Sequence, residues 1–189
     1  MATTVDPEAV LARFYPLDSP TLALLRRHGR QVAQKALAVA DRLAHLNPDR
    51  RFLFEAAMLH DVGIFQTDSP ALGCHGDAPY VCHGVLGRRL LEDIGLARHA
   101  LVCERHVGTG LSAEEIRARR LPLPERDMRP VSLEEEVICY ADKFFSKNGR
   151  TAEDGRSVAE VAALLAAYGP EQADRFRRLA ARFEASDAS

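Results

Sequence analysis

Apolar positions recur at three- and four-residue spacing along almost the whole chain, and sustained alternation of β-branched and polar residues is nearly absent, which predicts an all-α fold. A short opening helix over about residues 7–14 ends near Pro16. Ser19 or Thr21 caps a long helix reaching about residue 46, with Leu22, Leu25, Val32, Ala36, Val39 and Leu43 on its apolar stripe. Asn47-Pro48 breaks the chain, Pro48 or Asp49 opens the next helix, and Gly63 lies near its end. Further helices are predicted over about 81–94 and 97–106, separated at Gly95. Ser112 with Glu115, and Ser132 with Glu135, have the spacing of capping boxes; the first opens a short helix and the second a helix through residue 145. Helices over about 157–167 and 170–185 complete the pattern, with fraying expected over the last residues, 185–189. Two stretches break the periodicity. Residues 66–80 are dense in Pro, Gly, Asp and Ser and predict an ordered loop, a candidate lid, while residues 108–131 combine a Gly-Thr-Gly turn with a proline-punctuated connector.

Composition narrows the class. A chain of 189 residues with 47% hydrophobic and 28% charged residues fits one ordinary globular domain that can bury a core without disulfides. A net charge of −2 gives no electrostatic reason to expect nucleic acid or an acidic membrane as partner and points to a small soluble ligand. No signal-peptide pattern opens the chain and no eighteen apolar residues run together, so a cytoplasmic location is expected. Cys74, Cys82, Cys103 and Cys139 form no C-x-x-C pair and read as buried free thiols.

The chemistry is concentrated where polar residues interrupt apolar faces. His60-Asp61 sits in EAAMLHDVGIF, and an imidazole and a carboxylate among such neighbours are costly to desolvate without a partner or a metal ion. His28, His83, His106 and Asp142 each have apolar neighbours three or four residues away, so each should also face a bundle interior. A lone histidine in such a place is more often a satisfied core residue than a ligand. Four histidines and two aspartates together reverse that balance.

In the contexts LLRRHGRQVA, AAMLHDVGIF and ICYADKFF, the order His28, His60-Asp61, Asp142 resembles the HD superfamily of metal-dependent phosphohydrolases, and His83 and His106 resemble the additional histidines of its two-metal branch. The resemblance implies an HD-domain helical bundle with extra C-terminal helices. Residues 1–189 would form a single HD domain, with a core over about 20–148 and the helices of 155–185 packed on it. It further implies one or two divalent ions, of iron, manganese, cobalt, nickel, zinc or magnesium. His28, His60, Asp61 and Asp142 would hold one ion and His83 and His106 the second, with Asp61 as bridge. The implied activity is hydrolysis of a phosphate ester or anhydride of a nucleotide-type substrate by a metal-activated hydroxide, with Asp61 and Lys143 as catalytic residues. No Gly-Tyr-Pro motif follows the distal histidines, and His106-Val-Gly-Thr-Gly with Ala141-Asp142-Lys143 looks more like the dinucleoside-polyphosphate branch than the cyclic-dinucleotide one. The alternatives are a nucleoside monophosphate 5′-nucleotidase and a non-catalytic nucleotide-sensing module.

Weaker candidates surround this set. Lys143, Thr109 and Gly110 are expected substrate contacts, each weighed against a plain surface lysine or a helix-ending turn. Gln66, His75 and Asp77 in the first loop are looser ones. Arg117, Arg119, Arg120, Arg126 and Arg129 alternate with acidic residues and read as a solvated mixed-charge surface. His45 and His99 have no partner in the pattern, and the C-terminal helices read as core packing or the face of a homodimer.

Overall fold

The computed structural model describes residues 4–147 and 155–185, which form the all-α bundle that the periodicity predicts. Nine α-helices occur among the described residues: α1 Pro7–Leu11, α2 Pro20–Arg42, α3 Arg50–Leu59, α4 His83–Asp93, α5 Ala97–Arg105, α6 Ala113–Ala118, α7 Leu133–Asp142, α8 Val158–Ala166 and α9 Pro170–Phe183. The starts follow the capping chemistry. The side chains of Ser19, Asp49, Ser112, Ser132 and Ser157 each accept a backbone N–H of the first turn, and Pro20 and Pro170 occupy first-turn positions where no donor is needed.

The ends differ from the prediction in an instructive way. Helix α2 stops at Arg42 and continues as a 3-10 turn over Ala44–Leu46 before Asn47 takes a left-handed conformation. Helices α3 and α7 stop at Leu59 and Asp142, earlier than apolar periodicity alone suggests, because the polar pair and the Asp142-Lys143 step fall where the backbone turns. The first loop holds a two-stranded ladder, Asp68–Ser69 against Cys74–His75, with 3-10 turns around it. The fraying expected over 185–189 falls almost wholly outside the described residues.

Helix α2, with 23 residues, packs on α3 and α7, while α4 pairs with α5 and α8 with α9. One apolar cluster joins Val32, Ala36 and Val39 of α2, Phe52, Leu53 and Ala56 of α3 and Val137, Ile138 and Tyr140 of α7 to Val161, Phe176 and Phe183 of the C-terminal helices. Tyr140, fully buried, stacks on Phe176 at 5.2 Å and meets Phe183 edge-on at 5.4 Å. A second cluster under α1 gathers Leu22, Leu25, Leu59, Leu91 and Cys103. The 108–131 segment carries a small core of its own, in which Leu111, Ile116 and Met128 pack against Val85 of α4.

Charges are paired rather than gathered. Arg88 and Arg126 both bind the buried Glu104, Arg117 binds Glu125 and Arg129 binds Asp127, so three of the five arginines of the 117–129 stretch are ion-paired, while Arg119 lines a cavity beside the His-Asp cluster. His45 is exposed, whereas His99 is buried and has a partner that its sequence context conceals, with Nε2 3.2 Å from the Glu55 carboxylate. Among the described residues, no helix is long and apolar enough to cross a membrane.

Candidate metal centre

Helix ends build the site. His60 is the C-cap of α3 with Asp61 next to it, His106 is the C-cap of α5, Asp142 is the last residue of α7, and His83 is the first residue of α4, directly after a 3-10 turn; His28 alone comes from a helix interior. Three helix C-termini, each the negative end of a helix dipole, thus converge on one point, an environment that favours a cation. The turn after Asp61 is held by the buried Tyr15, whose hydroxyl donates to the Val62 carbonyl at 2.7 Å. Gly63 lets α4 approach: a Cβ there would lie 2.3 Å from Gly87 N and 2.4 Å from the His83 carbonyl oxygen.

All six expected ligands are buried and share one cluster. The Asp61 oxygens address different halves of it. Oδ2 lies 3.5 Å from His28 Nε2 and 3.2 Å from His60 Nε2, while Oδ1 lies 3.4 Å from His83 Nε2 and 3.4 Å from His106 Nε2. Asp142 Oδ1 closes the first half, 2.9 Å from His28 Nε2 and 3.4 Å from His60 Nε2.

Ring orientation fixes which nitrogen is offered. His60, His83 and His106 place Nδ1 2.6 Å, 2.7 Å and 2.7 Å from the carbonyls of Ala57, Tyr80 and Cys103, each three residues earlier. A carbonyl only accepts, so Nδ1 carries the proton and Nε2 turns its lone pair inward, the arrangement in which backbone carbonyls orient metal-ligating histidines. His83 Nε2 and His106 Nε2 then face each other at 3.0 Å, two lone pairs that a shared cation would satisfy. His60 Nε2 and Asp61 Oδ1 are buried and make no hydrogen bond among the described residues. His28, His60 and Asp142, and likewise His60, Asp61 and His106, bring their donor atoms within 4.8 Å of one another, so the donor set could hold a divalent ion.

The two carboxylates and three of the four histidines are in the charge states that suit a cation. Burial opposes charge on Asp61 and Asp142, but His60 and Lys147 beside the first, and Lys143 and Lys147 beside the second, hold both carboxyls well below the usual range. Burial and the neighbouring His106 push His83 down to about 3, and burial lowers His28 and His106, which leaves neutral rings. His60 is the exception: burial works against its charge, yet Asp61 and Asp142 prevail and raise it to about 9.

Lys143 lies at the cluster, its Nζ against Asp142 and 3.0 Å from the His106 carbonyl. Thr109 and Gly110 do not turn toward it. The Thr109 hydroxyl donates to Gln172 Oε1 at 2.9 Å, and the Gly110 carbonyl accepts from Gln172 Nε2 at 3.0 Å and from Arg175 at 2.8 Å, so the turn after His106 is tied to α9. Gln66, His75 and Asp77 line neither cavity beside the cluster; Ser69, Pro70 and Leu72 of that loop line one of them. Lys147 is a member that the sequence reading missed, its Nζ 2.9 Å from Asp61 Oδ2. It lies beyond the end of α7, in non-helical backbone, so no helical periodicity points to it.

An all-α bundle that brings four histidines and two aspartates to one buried point is of the class whose donor set could hold divalent metal. The HD domain family model matches residues 25–146, well over half of the chain, and the chain belongs to that family. HD domains bind divalent metals, and the described cluster lies within the matched span apart from Lys147. A curated but uncharacterized protein of Methanocaldococcus jannaschii is 36% identical over 98 residues, 51% of this chain and 50% of that protein. Two tRNA (cytidine(56)-2′-O)-methyltransferases, from Picrophilus torridus and Thermoplasma volcanium, are 31% and 29% identical over 65% and 67% of this chain. The chain spans half of the first relative and only 32% and 33% of the methyltransferases. No solved structure matches it significantly.

Proposed function

We propose that this chain is a metal-dependent phosphohydrolase that cleaves a phosphate ester or anhydride of a nucleotide-type substrate. The observation that carries the reading is the split address of Asp61, one oxygen toward His28 and His60 and the other toward His83 and His106. On this reading His28, His60, Asp61 and Asp142 would hold one divalent ion, and His83 and His106, with Asp61 shared, would hold a second. Divalent ions bound there would acidify a water molecule and neutralise phosphoryl charge. Lys143 and Lys147 bind the non-bridging phosphoryl oxygens and so orient phosphorus toward the water. Hydrolysis forms a bond from the water oxygen to phosphorus and breaks the bond to the leaving oxygen, which takes up a proton. The turn of Thr109 and Gly110, anchored to α9, acts by holding His106 rather than by touching substrate.

The match to two tRNA methyltransferases supports adding an RNA terminal phosphate to the substrates screened beside mononucleotides, dinucleoside polyphosphates and cyclic dinucleotides. Phosphate release from one of these, with manganese, iron, cobalt or nickel supplied separately, is the expected result. Asp61→Ala should lower turnover by about 10³-fold or more, as loss of a central catalytic group does, with the helical circular dichroism signal retained. Full activity in that variant would contradict the proposal, and tight nucleotide binding without product over hours would favour a sensing module.

A further inference from the structure

Two cavities of about 400 and 610 Å³ flank the cluster, and both are bounded by Tyr80, Asp142, Lys143, Lys147, Leu165 and Tyr168. They form a two-lobed cleft with the carboxylates and lysines at its waist and an apolar wall beside them. Volumes of this order are typical of small-molecule sites. The wall comes from α8 and the turn after it, residues beyond the span shared with the HD family. Tyr168 is 63% exposed and Leu164 51% exposed, so a large planar ring and an aliphatic side chain stand in water beside a charged pocket. Tyr80, the other aromatic side chain shared by both lobes, has one face taken up by the His83 ring, at 4.6 Å and 27°. The Tyr168 ring has no such partner among the described residues.

A ligand that suits this lining has a phosphate at one end and a flat, weakly hydrated group at the other. We infer that Leu164, Leu165 and Tyr168 form the specificity wall of the cleft and that Tyr168 stacks the base of a nucleotide whose phosphate lies at the lysines. The inference rests on the proposed phosphohydrolase reading insofar as it puts the phosphate at the cluster. A base is favoured over an aliphatic chain because an exposed aromatic face beside a cationic floor rewards planar stacking as well as burial.

The test compares adenosine 5′-phosphorothioate with ribose 5-phosphorothioate, both slow to hydrolyse and differing in the base, by isothermal titration of the full chain purified without chelators. The base should tighten binding about tenfold or more, the scale of one aromatic–base stack. Tyr168→Ala should remove most of that ratio while leaving the affinity for the ribose compound within about twofold, and Tyr168→Phe should keep it. Because the chain has no tryptophan, Tyr168→Trp adds a single indole, whose fluorescence the adenosine compound should quench and the ribose compound should not. Equal affinities in the wild type, a ratio unchanged in Tyr168→Ala, or an unquenched indole would overturn the inference. Since the readout is binding, a lost base preference leaves phosphate release at the cluster untouched. A retained preference without phosphate release in any screen sinks the hydrolytic reading alone.

Discussion

At the scale of single residues, the site is legible where polarity contradicts environment and illegible where it does not. His28, His83, His106 and Asp142 stand out because each interrupts an apolar face, and each is buried in the one cluster. Lys147 gives no such signal, since a lysine five residues past a helix end reads as solvated, yet its ammonium meets Asp61. Gln172 is missed for a related reason: a glutamine in the first turn of a helix needs no explanation until its partner, Thr109, is found 63 residues away in sequence. Gly63 is a residue whose role is purely spatial. Gly63→Ala would force its methyl against Gly87 and the His83 backbone and should cost about 2 kcal/mol, a typical overpacking penalty. For a chain of this length that is about 4–8 °C in Tm, measurable by thermal unfolding. An unchanged Tm would mean that α4 does not press on the turn as described.

At the scale of elements, helix existence was readable from periodicity and capping residues, while helix ends were not. The ends of α3 and α7 are set by the tertiary need to turn His60, Asp61 and Asp142 inward, which overrides the apolar pattern that continues past them. The clamp between α6 and α9 shows the same dependence on distant partners. Burial opposes charge on Glu115, but hydrogen bonds from Arg175, the Ser112 backbone and Gln172 outweigh it and lower the carboxyl from 4.5 to about 2. A depressed carboxyl contributes stability that is present above its unfolded value and lost as pH falls through its folded one. The chain should therefore lose stability between about pH 4.5 and about pH 2, in part through this group. Glu115→Gln should be less stable at neutral pH and lose less over that window, followed by denaturant unfolding at several pH values; parallel curves for the two proteins would contradict the clamp. Because the same Arg175 and Gln172 hold Thr109 and Gly110, the C-terminal helix pair reaches the centre through the turn after His106.

At the scale of the whole molecule, three helix C-termini, one helix N-terminus and one helix interior deliver six donor side chains to one buried point, and the C-terminal helices supply both a clamp behind it and a wall beside it. A metal-free polar network is the competing account of such a cluster. It leaves Asp61 Oδ1 without a hydrogen bond and sets two inward-facing imidazole nitrogens 3.0 Å apart, whereas divalent ions answer both at once. Elemental analysis of the chain purified without chelators decides between the two accounts. The two-ion reading predicts about two transition-metal ions per chain, as in two-metal hydrolytic sites. Protein that folds and carries no metal, even after incubation with manganese, iron, cobalt or nickel, would contradict it.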